Sequence, residues 1–159
     1  MPRPADLVQT NRPIASMPTN EQAIFPSRLA ALGDTAEFAQ DFCERNGVSR
    51  DDALRLTLII EELFTNTVQH GYGVESDAPI RVGLSLHEGE IMLQYEDSAP
   101  PCDPLSLASE LHSNLAPSID ARPVGGLGIH LVRGLVSGAR YAYEGGSNRL
   151  WLTLKTSLA

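Results

Sequence analysis

The stretch that most constrains the fold is residues 54–73, LRLTLIIEELFTNTVQHGYG. Apolar side chains recur at Leu56, Ile59, Ile60, Leu63 and Phe64, with Thr67 continuing the series. Spacings of three and four place them on one wide helical face that must be buried. Across from that seam, Glu62, Asn66 and His70 follow one another at i, i+4 and i+8. Residues four apart stack on a helix and drift only slowly around it, so the three can point at one ligand. Two readings of this line stand side by side: a site, or a polar helix face hydrogen-bonded to neighbouring loops.

The helix has a start signal in Ser49-Arg50-Asp51-Asp52, with Ser49 as N-cap and acidic residues in the first turn. From there to His70 it would run roughly 33 Å at 1.5 Å per residue, and Gly71 and Gly73 would stop it. An earlier helix is predicted from Leu29, Leu32, Phe38, Phe42 and Cys43, ending near Arg45-Asn46-Gly47 with Gly47 as the C′ residue. A short strand from Gln22 to Pro26 precedes it. Residues 1–19 show no periodicity and read as a flexible arm, leaving residues 20–159 as one domain.

After Pro79 the period becomes alternating. Ile80, Val82, Leu84 and Leu86 form one strand, Glu88-Gly89 a hairpin turn, and Ile91 to Tyr95 the returning strand, which ends in Glu96-Asp97. A Pro-rich segment from Ser98 to Pro104 follows, then residues 105–123, which are too long for an idle connection and read as a functional lid. Gly125-Gly126-Leu127-Gly128 opens a further helix through Ile129, Leu131, Val132, Leu135 and Val136. Two strands close the chain, Ala139 to Tyr143 and Arg149 to Leu154, joined by a turn spanning Glu144 to Asn148. The order predicts an α+β two-layer sandwich, with helices packed on one face of a mostly antiparallel sheet.

Charge and composition remove several function classes. A formal charge of −8 opposes nucleic acid and anionic membrane surfaces. Lys155 is the only lysine, so no Walker A loop exists, and any phosphate must be held by backbone amides, a metal ion or arginine. No apolar run approaches the roughly 20 residues of a membrane span, and the N-terminus lacks a signal-peptide core. Cys43 and Cys102 have neither metal-type spacing nor partners for a disulfide framework. A cytoplasmic protein of bacterial type is the simplest expectation.

Three segments carry chemistry: the Glu62, Asn66, His70 line; Asp97 at a strand end; and the glycines at 125–128, where free helix N–H groups can approach an anion. Each has a bland counterpart: the polar helix face, a turn-starting Asp, and a flexible hinge. Their order, E-x-x-x-N-x-x-x-H, then D-x-x-x-P-x-D-P, then G-G-L-G-I, resembles the nucleotide-binding fold shared by gyrase, Hsp90, histidine kinases and MutL. Within it, the chain is most similar to the stand-alone anti-sigma factor serine/threonine kinases of partner-switching systems, over about residues 20–157.

The resemblance implies ATP and Mg²⁺ as cofactors and assigns roles residue by residue. Asn66 would coordinate the Mg²⁺ that bridges the nucleotide phosphates. Glu62, one turn earlier, would be the catalytic carboxylate that orients or deprotonates the attacking hydroxyl, whereas Glu61 points about 100° away. His70 would pack against the nucleotide pocket. Asp97 would accept a hydrogen bond from the adenine amino group. Gly125, Gly126, Leu127, Gly128 and Ile129 would form the glycine box that closes over the phosphates. Arg122 or Arg133 would neutralise the γ-phosphate, with Arg122 favoured because it enters that box.

Two departures stand out. Ala99 occupies the place of the usual glycine in D-x-G, which costs on the order of 1–2 kcal/mol if that position needs positive φ and nothing otherwise. Cys102 replaces an aromatic before the Asp-Pro pair. The implied function is an anti-sigma factor and ATP-dependent kinase. It would phosphorylate a serine on an anti-sigma factor antagonist of STAS type, bind a sigma factor, and form a homodimer through the first helix and first strand. The alternative is an ATP-binding module that sequesters its partner without phosphoryl transfer.

Overall fold

Cap residues mark the end of the first helix and the start of the second. The computed structural model describes residues 20–106 and 132–157. A short 3₁₀ turn, Leu29–Ala31, leads into helix α1, Leu32–Arg45, which buries Ala39, Phe42 and Cys43. It ends at Asn46, and Gly47 follows at φ +69°, the left-handed exit expected of a C′ glycine. Helix α2, Arg50–Asn66, opens with the Ser49 hydroxyl accepting the Asp52 N–H at 3.2 Å. Asp51 and Asp52 complement the helix dipole in its first turn. Leu56, Ile59, Ile60, Leu63 and Phe64 are all buried, as the periodicity predicts.

The described residues form five strands: β1 (Glu21–Pro26), β2 (Pro79–His87), β3 (Glu90–Asp97), β4 (Gly138–Glu144) and β5 (Ser147–Lys155). They form one antiparallel sheet in the order β1-β2-β3-β5-β4. Alternate residues Ile80, Val82, Leu84, then Ile91, Leu93, Tyr95, then Leu150, Leu152, Leu154 are buried and join the helix seams in one core. Phe25 of β1 meets Phe38 of α1 and Phe64 of α2 edge-on, with ring centroids 6.0 and 6.5 Å apart. The architecture is therefore the predicted α+β sandwich, helices against one face of an antiparallel sheet. No helix among the described residues is long and apolar enough to cross a membrane.

Two local expectations are corrected. The second helix does not continue as an α-helix to His70: after Asn66 it widens into a π-type turn over Thr67–Gly71, closed by the Tyr72 N–H on the Thr67 carbonyl at 2.8 Å. An i→i+5 turn holds an extra residue, so side chains beyond Asn66 lose the phase of the preceding helix. Gly71 accordingly lies inside this turn, and Gly73, at φ +79°, follows it. The turn between the last two strands is also shorter than read. Gly145 and Gly146 take φ of +59° and +82°, the left-handed pair that closes a two-residue hairpin. Asn148 is therefore not in the turn but in β5, paired with Tyr143. Helical backbone is seen at 132–135, within the predicted third helix; its first residues, the arm 1–19 and most of the segment 105–123 lie outside the described residues.

Candidate nucleotide-binding cleft

The end of α2, its π-type turn, the end of β3 and the start of β5 converge on a cleft of about 440 Å³. Asn66, Thr67 and Gly71 line it from the helix side, Tyr95 and Asp97 from β3, Ala99, Pro100 and Cys102 from the Pro-rich segment, and Tyr141 and Asn148 from the last hairpin.

Asp97 is the buried charge of the site, only 7% exposed. A carboxylate so enclosed must be hydrogen-bonded to avoid a large desolvation cost. Its Oδ1 accepts the Asn148 Nδ2 at 2.9 Å and the Ala99 N–H at 3.1 Å, and its Oδ2 accepts the Thr67 hydroxyl at 2.9 Å. Behind Thr67 lies Tyr95, whose Oη is 2.7 Å from Thr67 Oγ1 and 3.1 Å from the Leu63 carbonyl. Burial pushes the Tyr95 phenol well above its usual range, so it stays a donor. Thr67 has one hydrogen, and the carboxylate is its stronger acceptor. The chain therefore runs Tyr95 O–H to Thr67 O–H to Asp97.

Asn148 ties the other side together. Besides Asp97, its Nδ2 faces the Ala99 carbonyl at 3.0 Å and the Pro100 carbonyl at 3.1 Å. Its Oδ1 accepts the Cys102 N–H at 3.0 Å and the Tyr141 hydroxyl. One carboxamide thus fixes Asp97 and the Pro-rich wall together. Burial and the nearby Asp103 and Asp97 carboxylates raise the Cys102 thiol above its ordinary value.

Ala99 resolves the question left by the missing glycine. Among the described residues Glu88 is the one non-glycine residue with positive φ, so Ala99 carries no such strain. Room for its methyl comes from the opposite wall: a Cβ at Gly71 would stand 3.2 Å from the Ala99 Cβ. Ala99 itself is 2% exposed.

The structure brings together Asn66, Asp97 and Ala99 of the residues singled out in the sequence. Glu62 is half-buried on α2, one turn before Asn66, and is not among the described residues that line the cleft. His70 is exposed on the π-type turn and does not line the cleft, so it does not continue the line of Glu62 and Asn66. Arg133 is exposed, with Nη1 3.5 Å from the Leu105 carbonyl. Arg122, Gly125, Gly126, Leu127, Gly128 and Ile129 lie outside the described residues.

Thr67, Tyr95 and Asn148 also line the cleft without standing out in the sequence. Thr67 sits in a Leu/Ile/Phe seam, where a lone hydroxyl is the available signal. Tyr95 shares its strand face with Asp97 at i+2, a relation that alternation makes visible. Asn148 was hidden by the assumed length of its turn.

The donor set fits the groups the resemblance implies. The Asn66 carboxamide lines the cleft and has no hydrogen-bond partner among the described residues, leaving a hard neutral oxygen available. Among those residues no cluster of three or more His, Cys, Asp or Glu could hold a metal alone. A divalent ion here would depend on ligand phosphates and water, the habit of Mg²⁺.

Comparison with known proteins agrees with this geometry. A serine/threonine-protein kinase of Bordetella bronchiseptica, BtrW, is 32% identical over 98 residues, covering 62% of this chain and 67% of that protein. The fold is also similar to part of the structure of the RsbU and RsbW domains of Rv1364c from Mycobacterium tuberculosis, with a TM-score of 0.62 at 18% identity over 88% of this chain. This chain spans only 33% of that one. The SiaB–SiaC complex of Pseudomonas aeruginosa matches with a TM-score of 0.53 at 10% identity, over 84% of this chain and 87% of that one. Residues 25–154 match the histidine kinase-like ATPase domain family, and the chain belongs to it.

Proposed function

We propose that this protein is an ATP-dependent serine/threonine protein kinase of a partner-switching system. The observation that carries the reading is the convergence of Asn66 and Asp97 on one cleft in a histidine kinase-like ATPase domain. Similarity to a named serine/threonine-protein kinase supports protein phosphorylation over simple hydrolysis. Its substrate would be a serine on a small anti-sigma factor antagonist of STAS type; phosphorylation would expel the antagonist and free this protein to hold a sigma factor.

In this reading Asp97 binds the adenine amino group, and Asn66 holds Mg²⁺ through its carboxamide oxygen. Mg²⁺ held there would supply positive charge against that of the phosphates. Glu62 receives the proton of the serine hydroxyl as the serine oxygen bonds the γ-phosphorus and ADP leaves. The glycines at 125–128 would enclose the phosphates, with Arg122 supplying positive charge.

One observation favours a second reading. Glu62 does not line the cleft among the described residues, which suits a module that binds ATP to set its shape and captures a partner without transfer. Incubating γ-labelled ATP with candidate antagonist domains separates the two. Label on the antagonist, lost in Glu62→Ala, supports the kinase. Partner capture that depends on Mg²⁺-ATP and Asn66 without label supports the module. Failure to bind ATP removes both.

A further inference from the structure

Asn148 contains a satisfiability problem whose solution bears on ligand choice. Its Nδ2 carries two hydrogens but faces three acceptors, Asp97 Oδ1, Ala99 O and Pro100 O, at 2.9–3.1 Å. The amide cannot be turned over, because its Oδ1 already receives the Cys102 N–H at 3.0 Å and the Tyr141 hydroxyl. Turning it would set N–H against N–H on one side and oxygen against three oxygens on the other. The wall around Asp97 is therefore rich in acceptors and short of one donor hydrogen.

Asp97 can be counted the same way. An ionised carboxylate offers about four lone-pair sites. Oδ1 uses both of its own, on Asn148 and the Ala99 N–H, and Oδ2 uses one on Thr67. Among the described residues one site remains without a partner, on Oδ2.

We propose that Asn148 is the positioning residue for base recognition: by giving one hydrogen to Asp97 Oδ1, which the Ala99 N–H also occupies, and sharing the other between the Ala99 and Pro100 carbonyls, it makes the carboxylate present one vacant acceptor, on Oδ2, to the cleft. A heteroaromatic ligand then gains most from an exocyclic amino group at that spot, whereas a keto oxygen there meets lone pair with lone pair. Without Asn148, Asp97 loses its hold on Oδ1 and can turn or recruit water. The amino group then loses its fixed partner, while ring and phosphate contacts stay as they were. This rests on the reading that the cleft binds ATP.

The test is calorimetric titration of the full chain with Mg²⁺-ATP and with Mg²⁺-purine riboside triphosphate, which lacks only the 6-amino group. A hydrogen bond to a charged acceptor implies that the native protein prefers ATP by roughly tenfold to a hundredfold. In Asn148→Ala the preference should fall to within about threefold, with purine riboside triphosphate bound nearly as by the native protein. A merely structural asparagine would weaken both ligands together and keep their ratio; that result overturns the proposal. If Asn148→Ala does not fold, Asn148→Thr, which restores one donor on a strand-favouring residue, should give an intermediate ratio, and an unchanged ratio overturns the proposal. Native protein that binds both ligands without preference refutes the positioning role alone. Native protein that binds neither refutes the nucleotide reading itself.

Discussion

Replacing Thr67 by valine keeps the side-chain shape and removes a single O–H, which makes it a sharp probe of the buried network. Thr67 is 4% exposed and Asp97 7%, so the lost bond is not screened by water. A hydrogen bond to a charged group contributes about 1.5–3 kcal/mol. Exchanging a hydroxyl for a methyl in an apolar seam returns about 0.8 kcal/mol. The net expectation is a loss of roughly 1–2 kcal/mol, which for a chain of this size lowers Tm by about 2–8 °C. Thermal unfolding by circular dichroism measures it. Were Thr67 only a filler of the core, valine would leave Tm unchanged or raise it, and that outcome refutes the network. A cycle with Tyr95→Phe sharpens the test. The relay Tyr95–Thr67–Asp97 predicts coupling of at least about 0.5 kcal/mol, and strict additivity rejects it.

Alkaline stability follows from Tyr95. Its folded-state pKa is raised by burial, so above about pH 10 the unfolded chain sheds a proton that the native chain keeps. Stability should fall with rising pH in that range, and Tyr95→Phe should flatten the slope in a urea series. Gly71 and Ala99 should behave as a pair: Gly71→Ala crowds the Ala99 methyl, and it should be better tolerated by at least about 0.5 kcal/mol in an Ala99→Gly background. Equal cost in both backgrounds would show that the two do not touch. The cysteines give a direct probe of the cleft. Cys102 is exposed and lines it, whereas Cys43 is 1% exposed with its thiol pushed up to about 11. A maleimide should modify Cys102 alone, faster as pH rises because the thiolate reacts, and Mg²⁺-ATP should slow it. Equal rates with and without nucleotide would place the ligand elsewhere.

Much of the fold is legible in the chain because hydrophobic period dominates it. The seam of α2, the Ser49 cap, the Gly47 exit and the alternation of β2 and β3 each follow from local chemistry. The site is legible only in part. Asn66 and Asp97 carry side chains that advertise their chemistry, and they meet in the cleft. His70 does not continue the face of Glu62 and Asn66, because equal spacing implies one face only while the helix keeps one pitch, and the π-type turn breaks that pitch one residue after Asn66. Asn148 could not be placed without knowing that two glycines, rather than five residues, make the last turn. Thr67 looked apolar because a β-branched side chain fits a core seam whether or not its hydroxyl is used.

The facing of Gly71 and Ala99 changes how the site should be compared with others. Counted along the chain, position 99 has gained a methyl where a glycine is usual. Counted across the gap, the two walls together hold only one methyl between them, because the helix side presents bare backbone at Gly71. The width of the slot is a property of the pair, so neither position reports it alone.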